Sequence, residues 1–287
     1  MLYRDFETQE ELDEQYRVAD AVDDYGVYAR LYRRKSRAAR DQLDPSLDVS
    51  FGPTIAEHLD IFPAKQADAP VMVFIHGGYW RANSSKKFSF VATGLVEAGI
   101  TTVVLNYALC PTVTIDEIVR QARAAVVWVS EHIEAYNGDS DQIYVAGHSA
   151  GGHLTGMLLT TNWEKEYGKP ADLIKGAIAI SGLFDLAPFP YTWLQPKLQL
   201  TWGQVRRNSP IRHLPEAAPP LIVTYGGEEP PEMQRQSSAF LRAWRDAGLD
   251  GTHVAQPNDD HFSAITGFLE PDSTLLRAIL DQMDLEN

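Results

Sequence analysis

The sequence predicts an α/β protein with a mostly parallel central sheet and helices on both faces. Three observations predict it. Short apolar runs at residues 71–75, 100–105, 173–180 and 221–225 suit strands covered on both sides. Helix-compatible stretches at about 86–98, 115–136, 231–247 and 273–283 separate them, and that alternation is the pattern of βα units. Finally, Gly77, Gly78, Ser149, Glu228, Glu229 and His261 fall at or just after strand ends, where open parallel sheets bind ligands.

The elements follow in order. Residues 1–56 read as an N-terminal helical extension packed on the core. Residues 7–24 are acidic and residues 30–40 basic, and Val27, Tyr28, Leu31 and Tyr32 recur at the spacing of one helical face. The run Arg33-Arg34-Lys35-Ser36-Arg37 reads as a solvated helix face beside the acidic stretch rather than a binding patch, because the chain as a whole is acidic. The main domain spans 57–287. It opens with an alternating strand at 57–63 and the run at 71–75, which ends in His76-Gly77-Gly78-Tyr79-Trp80. In the long helix at 115–136, Ile118, Ala122, Ala125, Val126 and Val129 form one apolar stripe, and Asn137-Gly138 stops it. A strand at 142–146 follows. After the run at 173–180 comes an irregular, proline-containing stretch at about 182–215, read as a cap-like insertion; it carries Phe184, Phe189, Tyr191, Trp193 and Trp202. Strands at 221–225 and 252–255 complete the sheet.

Composition narrows the function. The chain has 287 residues, 25 basic and 39 acidic side chains and a formal net charge of −14, a surface that repels phosphate backbones and anionic membranes. Neither nucleic acid nor membrane is an expected partner, and no apolar run approaches the length of a transmembrane helix. With one cysteine, Cys110, no intrachain disulfide can form; this and the absence of a basic-then-apolar leader make the cytoplasm the expected compartment. Cys110 reads as a small buried hydrophobe.

Chemistry concentrates at Gly147-His148-Ser149-Ala150-Gly151. An apolar strand precedes it and a helix-compatible stretch follows, the setting of a nucleophile elbow in which a strained turn presents the Ser149 hydroxyl above the sheet edge. A serine hydroxyl needs a base. Of the eight histidines, His261 alone follows both the elbow and the acid candidates at a strand end; His213 precedes the acids, and His153, one helical turn past Ser149, reads as packing. Glu228 and Glu229 follow the strand at 221–225, and sequence alone does not separate them. The backbone N–H groups of Gly78, Tyr79 and Ala150 are placed to receive an oxyanion.

These segments carry a resemblance. His76-Gly77-Gly78-Tyr79-Trp80, Gly147 through Leu154, Ser181-Gly182-Leu183-Phe184-Asp185-Leu186 and Glu229 through Ser237 are similar to the kynurenine formamidases (arylformamidases), α/β-hydrolases related to the hormone-sensitive-lipase-like esterases. The resemblance runs from about residue 57, with the Tyr79-Trp80 pair its most specific mark. It implies an α/β-hydrolase fold, Ser149 as nucleophile, His261 as base and Glu229 rather than Glu228 as acid, although the family often has Asp there. It implies hydrolysis of an aryl formamide, N-formylkynurenine to kynurenine and formate, in tryptophan catabolism, without metal or organic cofactor. Tyr79 and Trp80, beside the oxyanion loop, are the expected substrate contacts.

Two other functions compete. One is a carboxylesterase, aryl amidase or carbamate hydrolase using the same three residues. The other is a non-catalytic ligand receptor, which predicts a broken triad, whereas Ser149, His261 and an acid are all present. The expected partner is a small-molecule aryl amide or ester; a homodimer stays an open alternative.

Overall fold

The computed structural model describes residues 1–285. Eight strands form one sheet: β1 (Ser46–Ser50), β2 (His58–Phe62), β3 (Ala69–Ile75), β4 (Thr101–Leu105), β5 (Gly138–His148), β6 (Ile174–Ile180), β7 (Leu221–Gly226) and β8 (Gly251–Gln256). Their spatial order is β1-β2-β4-β3-β5-β6-β7-β8. The β1–β2 and β2–β4 pairs are antiparallel, and the pairs from β4 to β8 are parallel. Ten α-helices accompany the sheet among the described residues: α1 (Gln9–Tyr16), α2 (Tyr25–Gln42), α3 (Ala92–Glu97), α4 (Ile115–His132), α5 (Ala150–Leu159), α6 (Trp163–Tyr167), α7 (Gln195–Leu198), α8 (Trp202–Arg207), α9 (Pro231–Asp246) and α10 (Thr274–Gln282). This is the α/β-hydrolase arrangement.

Strand alternation builds two apolar layers. On β3, Val71, Val73 and Ile75 face one way with Ile143 and Val145 of β5, under α1, α4, α5 and α9. Met72 and Phe74 face the other way with Ile178 and Ile180 of β6, under α2, α3 and α10. These side chains are fully buried, each contributing about 1.5–3 kcal/mol through removal from water. The apolar stripe of α4 lies in the first layer. Asn137 ends that segment in the left-handed region at φ 62°, after a 3₁₀ turn.

The structure departs from the sequence reading in three places. Residues 1–56 are not wholly helical, since β1 adds a short edge strand. The helix expected at about 86–98 is two 3₁₀ turns and the shorter α3. There, tertiary partners take the backbone groups that a helix would pair: Ser36 Oγ of α2 donates to the Lys87 carbonyl and accepts from Phe90 N, and Asn106 Oδ1 accepts from Ser85 N. Third, the segment at 182–215 covers little of the site. Phe184 stacks on Phe240 of α9, Phe189 packs on Tyr16 and Trp80, and Trp202 is exposed.

Candidate active site

Ser149 sits between the end of β5 and the start of α5 with φ 57° and ψ −117°. That strained backbone is held by its own amide, which donates to Ile180 O at 2.8 Å. Both flanking glycines are required by close approach: a Cβ at Gly147 would lie 2.2 Å from Gly151 O, and one at Gly151 would lie 1.9 Å from Ile75 O. The turn is thus wedged against β3, and Ser149 is almost fully buried at the floor of a cavity.

His261 lines the same cavity. Its Nδ1 lies 2.8 Å from Glu229 Oε2, in a pair whose side chains are both almost wholly buried. The other carboxylate oxygen of Glu229 accepts from Gly226 N at 2.7 Å and from Ser181 Oγ. With a carboxylate as acceptor, Nδ1 carries the proton and Nε2 presents a lone pair. Glu228 is exposed on the loop, so the geometry pairs His261 with Glu229. His213 is exposed and bonded to Arg206 O, away from the site.

The loop after β3 holds three successive positive-φ residues, Gly78 at 128°, Tyr79 at 50° and Trp80 at 54°. Their side chains and neighbours hold them there. Tyr79 Oη donates to Tyr16 O at 2.7 Å, Trp80 Nε1 donates to His153 Nδ1 at 3.1 Å, and Cys110 N donates to Trp80 O at 2.8 Å. The N–H groups of Gly78, Tyr79 and Ala150 have no protein acceptor among the described residues, and Gly78 and Tyr79 line the cavity.

Trp80 corrects a sequence expectation. Its side chain is fully buried and does not line the cavity. The positive φ turns the indole under the loop, against His153 and Phe189. His153 Nε2 donates to Asn208 O at 2.7 Å, which leaves Nδ1 free to accept from Trp80. Burial lowers the His153 pKa to about 4, so it stays neutral. His76, stacked between Phe88 and Tyr107, is lowered by burial to about 4 as well. Burial raises the Cys110 thiol to about 11, an inert state.

The opposite wall comes from a region that local sequence patterns did not mark. Tyr16, Arg17, Tyr25 and Tyr32 of the N-terminal segment line the cavity, which measures about 340 Å³. From the expected cap-like stretch only Trp193 does, positioned by Asp13 Oδ1 accepting from its backbone N at 2.8 Å. The α2 helix also straps the His261 loop: Tyr28 Oη donates to Asp260 Oδ2, and Tyr32 Oη donates to Phe262 O. Asp260 Oδ1 accepts from Phe262 N and Ser263 N, so one aspartate shapes the turn after His261. Burial and this carboxylate raise the Tyr28 pKa to about 12.

A strained serine, a buried histidine–glutamate pair and unpaired backbone donors around one cavity are the parts of acyl-transfer chemistry. The BD-FAE family model matches residues 59–244. The kynurenine formamidase of Danio rerio is 32% identical over 249 residues, covering 84% of this chain and 83% of that protein. Esterase LipQ of Mycobacterium tuberculosis is 29% identical over 238 residues, 75% of this chain and 56% of that one. A solved structure from Silicibacter sp. tm1040 superposes with a TM-score of 0.82 at 27% identity, covering 94% of this chain and 98% of that chain. No described helix is long and apolar enough to cross a membrane. The chain belongs to the BD-FAE family and to the kynurenine formamidase family of α/β-hydrolases, and is a hydrolase.

Proposed function

We propose that the protein hydrolyses an aryl formamide, N-formylkynurenine in the first instance, through a formyl-serine intermediate in the cytoplasm, with Ser149, His261 and Glu229 as catalytic residues. The observation that carries the reading is the buried 2.8 Å contact from His261 Nδ1 to Glu229 Oε2 beside the strained Ser149. The kynurenine formamidase relatives supply the substrate class.

In this mechanism His261 Nε2 takes the Ser149 proton as Oγ attacks the formyl carbon. Glu229 holds the tautomer and stabilises the imidazolium. The oxyanion is received by the N–H groups of Gly78, Tyr79 and Ala150, each worth about 3 kcal/mol in the transition state. His261 returns the proton to the aniline nitrogen, the C–N bond breaks and the aryl amine leaves. Water then adds to the formyl ester, giving its proton to His261; Ser149 recovers it and formate departs. Tyr79, under this reading, contacts the aromatic ring of the substrate.

The test is steady-state hydrolysis of N-formylkynurenine, p-nitrophenyl acetate and simple anilides by purified protein. A kcat/KM at least tenfold higher on the formamide supports the proposal. Strong ester or anilide turnover with negligible formamidase activity replaces it with the esterase reading, which the likeness to LipQ favours.

A further inference from the structure

The cavity beside Ser149 has the opposite charge from the rest of the molecule. Among the described residues, its wall carries Arg17, Arg33, Arg81 and Lys87 against one carboxylate, Asp20. In the whole chain, acidic side chains outnumber basic ones 39 to 25. A positive recess in a negative body focuses field lines and draws anions to one place.

Within that wall, Arg81 stands out. Like Arg33 and Lys87 on the same wall, Arg81 forms no ion pair among the described residues, but it alone of these cations holds a buried nitrogen, Nε, without an acceptor. Its guanidinium carbon lies over the ring of Trp193, 4.7 Å from the centroid. Arg17 lies over the same ring at 5.5 Å and is offset by Asp13 at 3.5 Å. The indole Nε1–H of Trp193 is also buried without an acceptor. Two residues lining one cavity therefore each hold a buried donor that the protein leaves unmatched, which disfavours the empty site. Such a pair is completed by a ligand that brings acceptors and negative charge. A planar carboxylate does both, and the guanidinium fork is shaped to meet it.

We propose that Arg81 and Trp193 form a carboxylate subsite next to Ser149, with Arg81 the specificity-determining residue, so that the enzyme selects aryl amides or esters carrying an anionic group on the leaving-group side. The inference rests on the hydrolase reading for the placement of the scissile bond and goes beyond it in naming what holds the far end. Trp193 stiffens the Arg81 fork from one face and offers the second donor. Arg17 adds charge without needing to touch the ligand.

Two measurements test it. The first compares kcat/KM on two 2-formamidophenyl ketones, identical except that the side chain ends in a carboxylate or in a carboxamide. The wild-type protein should prefer the carboxylate at least tenfold, less so in 0.5 M NaCl. Arg81→Gln should bring the ratio to within threefold, chiefly through KM, Arg81→Lys should restore part of it, and Trp193→Phe should lower it about threefold. The second uses calorimetry on Ser149→Ala protein, with the deformylated amine products as ligands. The carboxylate product should bind at least tenfold tighter than the carboxamide, and adding Arg81→Gln should erase the difference. The binding arm does not need turnover, so an enzyme that hydrolyses neither ketone overturns the formamidase reading alone. Equal handling of the two end groups by wild-type protein, or a preference that survives in Arg81→Gln with an unchanged melting temperature, overturns the subsite.

Discussion

His148, the residue before Ser149, donates from Nε2 to the backbone carbonyl of His261 at 2.8 Å. A carbonyl only accepts, so this bond fixes the tautomer and leaves Nδ1 as a bare lone pair, buried and without a donor among the described residues. Burial and the neighbouring His261 hold the His148 pKa well below the ordinary imidazole value, so it remains neutral. The elbow and the histidine loop are thereby joined by one hydrogen bond between residues 113 positions apart. His148→Ala should cost about 2 kcal/mol, because the buried His261 carbonyl loses its donor. On the proposed mechanism kcat should also fall roughly tenfold with little change in KM, and His148→Gln should recover part of the loss. Urea denaturation and steady-state kinetics check the two effects.

The acid assignment separates by substitution. Glu229→Gln removes the charge that faces His261 and should lower kcat on the order of 10³-fold or more, by analogy with the loss of a triad carboxylate. Glu228→Gln, on an exposed side chain, should change it less than twofold. Ser149→Ala and His261→Ala should each abolish measurable turnover with circular dichroism unchanged. A larger loss at position 228 than at 229 refutes the assignment.

Acid should loosen the fold through its neutral histidines. His76 and His153 titrate near 4 in the folded chain and near 6.5 when unfolded. Between those values the unfolded chain binds more protons, so stability is complete above about 6.5 and drains away as pH falls toward 4. Each group accounts for about 1.4 kcal/mol per pH unit inside that window. Protonating His153 also removes the acceptor for Trp80 Nε1. The melting temperature should drop between pH 6.5 and 5, and His153→Gln should flatten that slope.

Backbone contact makes the elbow intolerant of added volume. Gly151→Ala would place a carbon 1.9 Å from Ile75 O on β3, in a strand that cannot retreat without breaking the sheet. A loss of about 3 kcal/mol or more is expected, seen as a lower melting temperature. Gly99→Ala, at a site with open space around it but φ 85°, should cost less.

Much of this arrangement was legible because it is local. Continuous apolar runs marked β3, β4, β6 and β7, and a five-residue motif placed Ser149 at the end of β5. The preference for Glu229 came through family likeness, and geometry adds a reason that sequence lacked: 228 faces outward and 229 inward. What sequence did not reveal depends on long-range contact. The polar five-residue β1 is held by its neighbour β2 rather than by its own composition. Trp80 follows the glycine turn, yet adjacency does not say which way a side chain points, and its backbone turns it away from the cavity. The N-terminal wall had no local signature, although the Tyr28 and Tyr32 spacing marked the helix face that meets the His261 loop. Ser181, which bonds to Glu229, stood in a recognised segment without an evident role.

The two tyrosine bonds from α2 to residues 260 and 262 have a temporal consequence. They join residues 232 and 230 positions apart, so α2 is synthesised well before its partners. During synthesis α2 can form early, but its partners do not exist until β8 and the turn after it have emerged. The His261 loop can therefore reach its final shape only once residues 260–262 have emerged and met α2, so the proposed chemistry is silent in nascent chains that end before them. Activity would report that α2 and the turn after β8 have met.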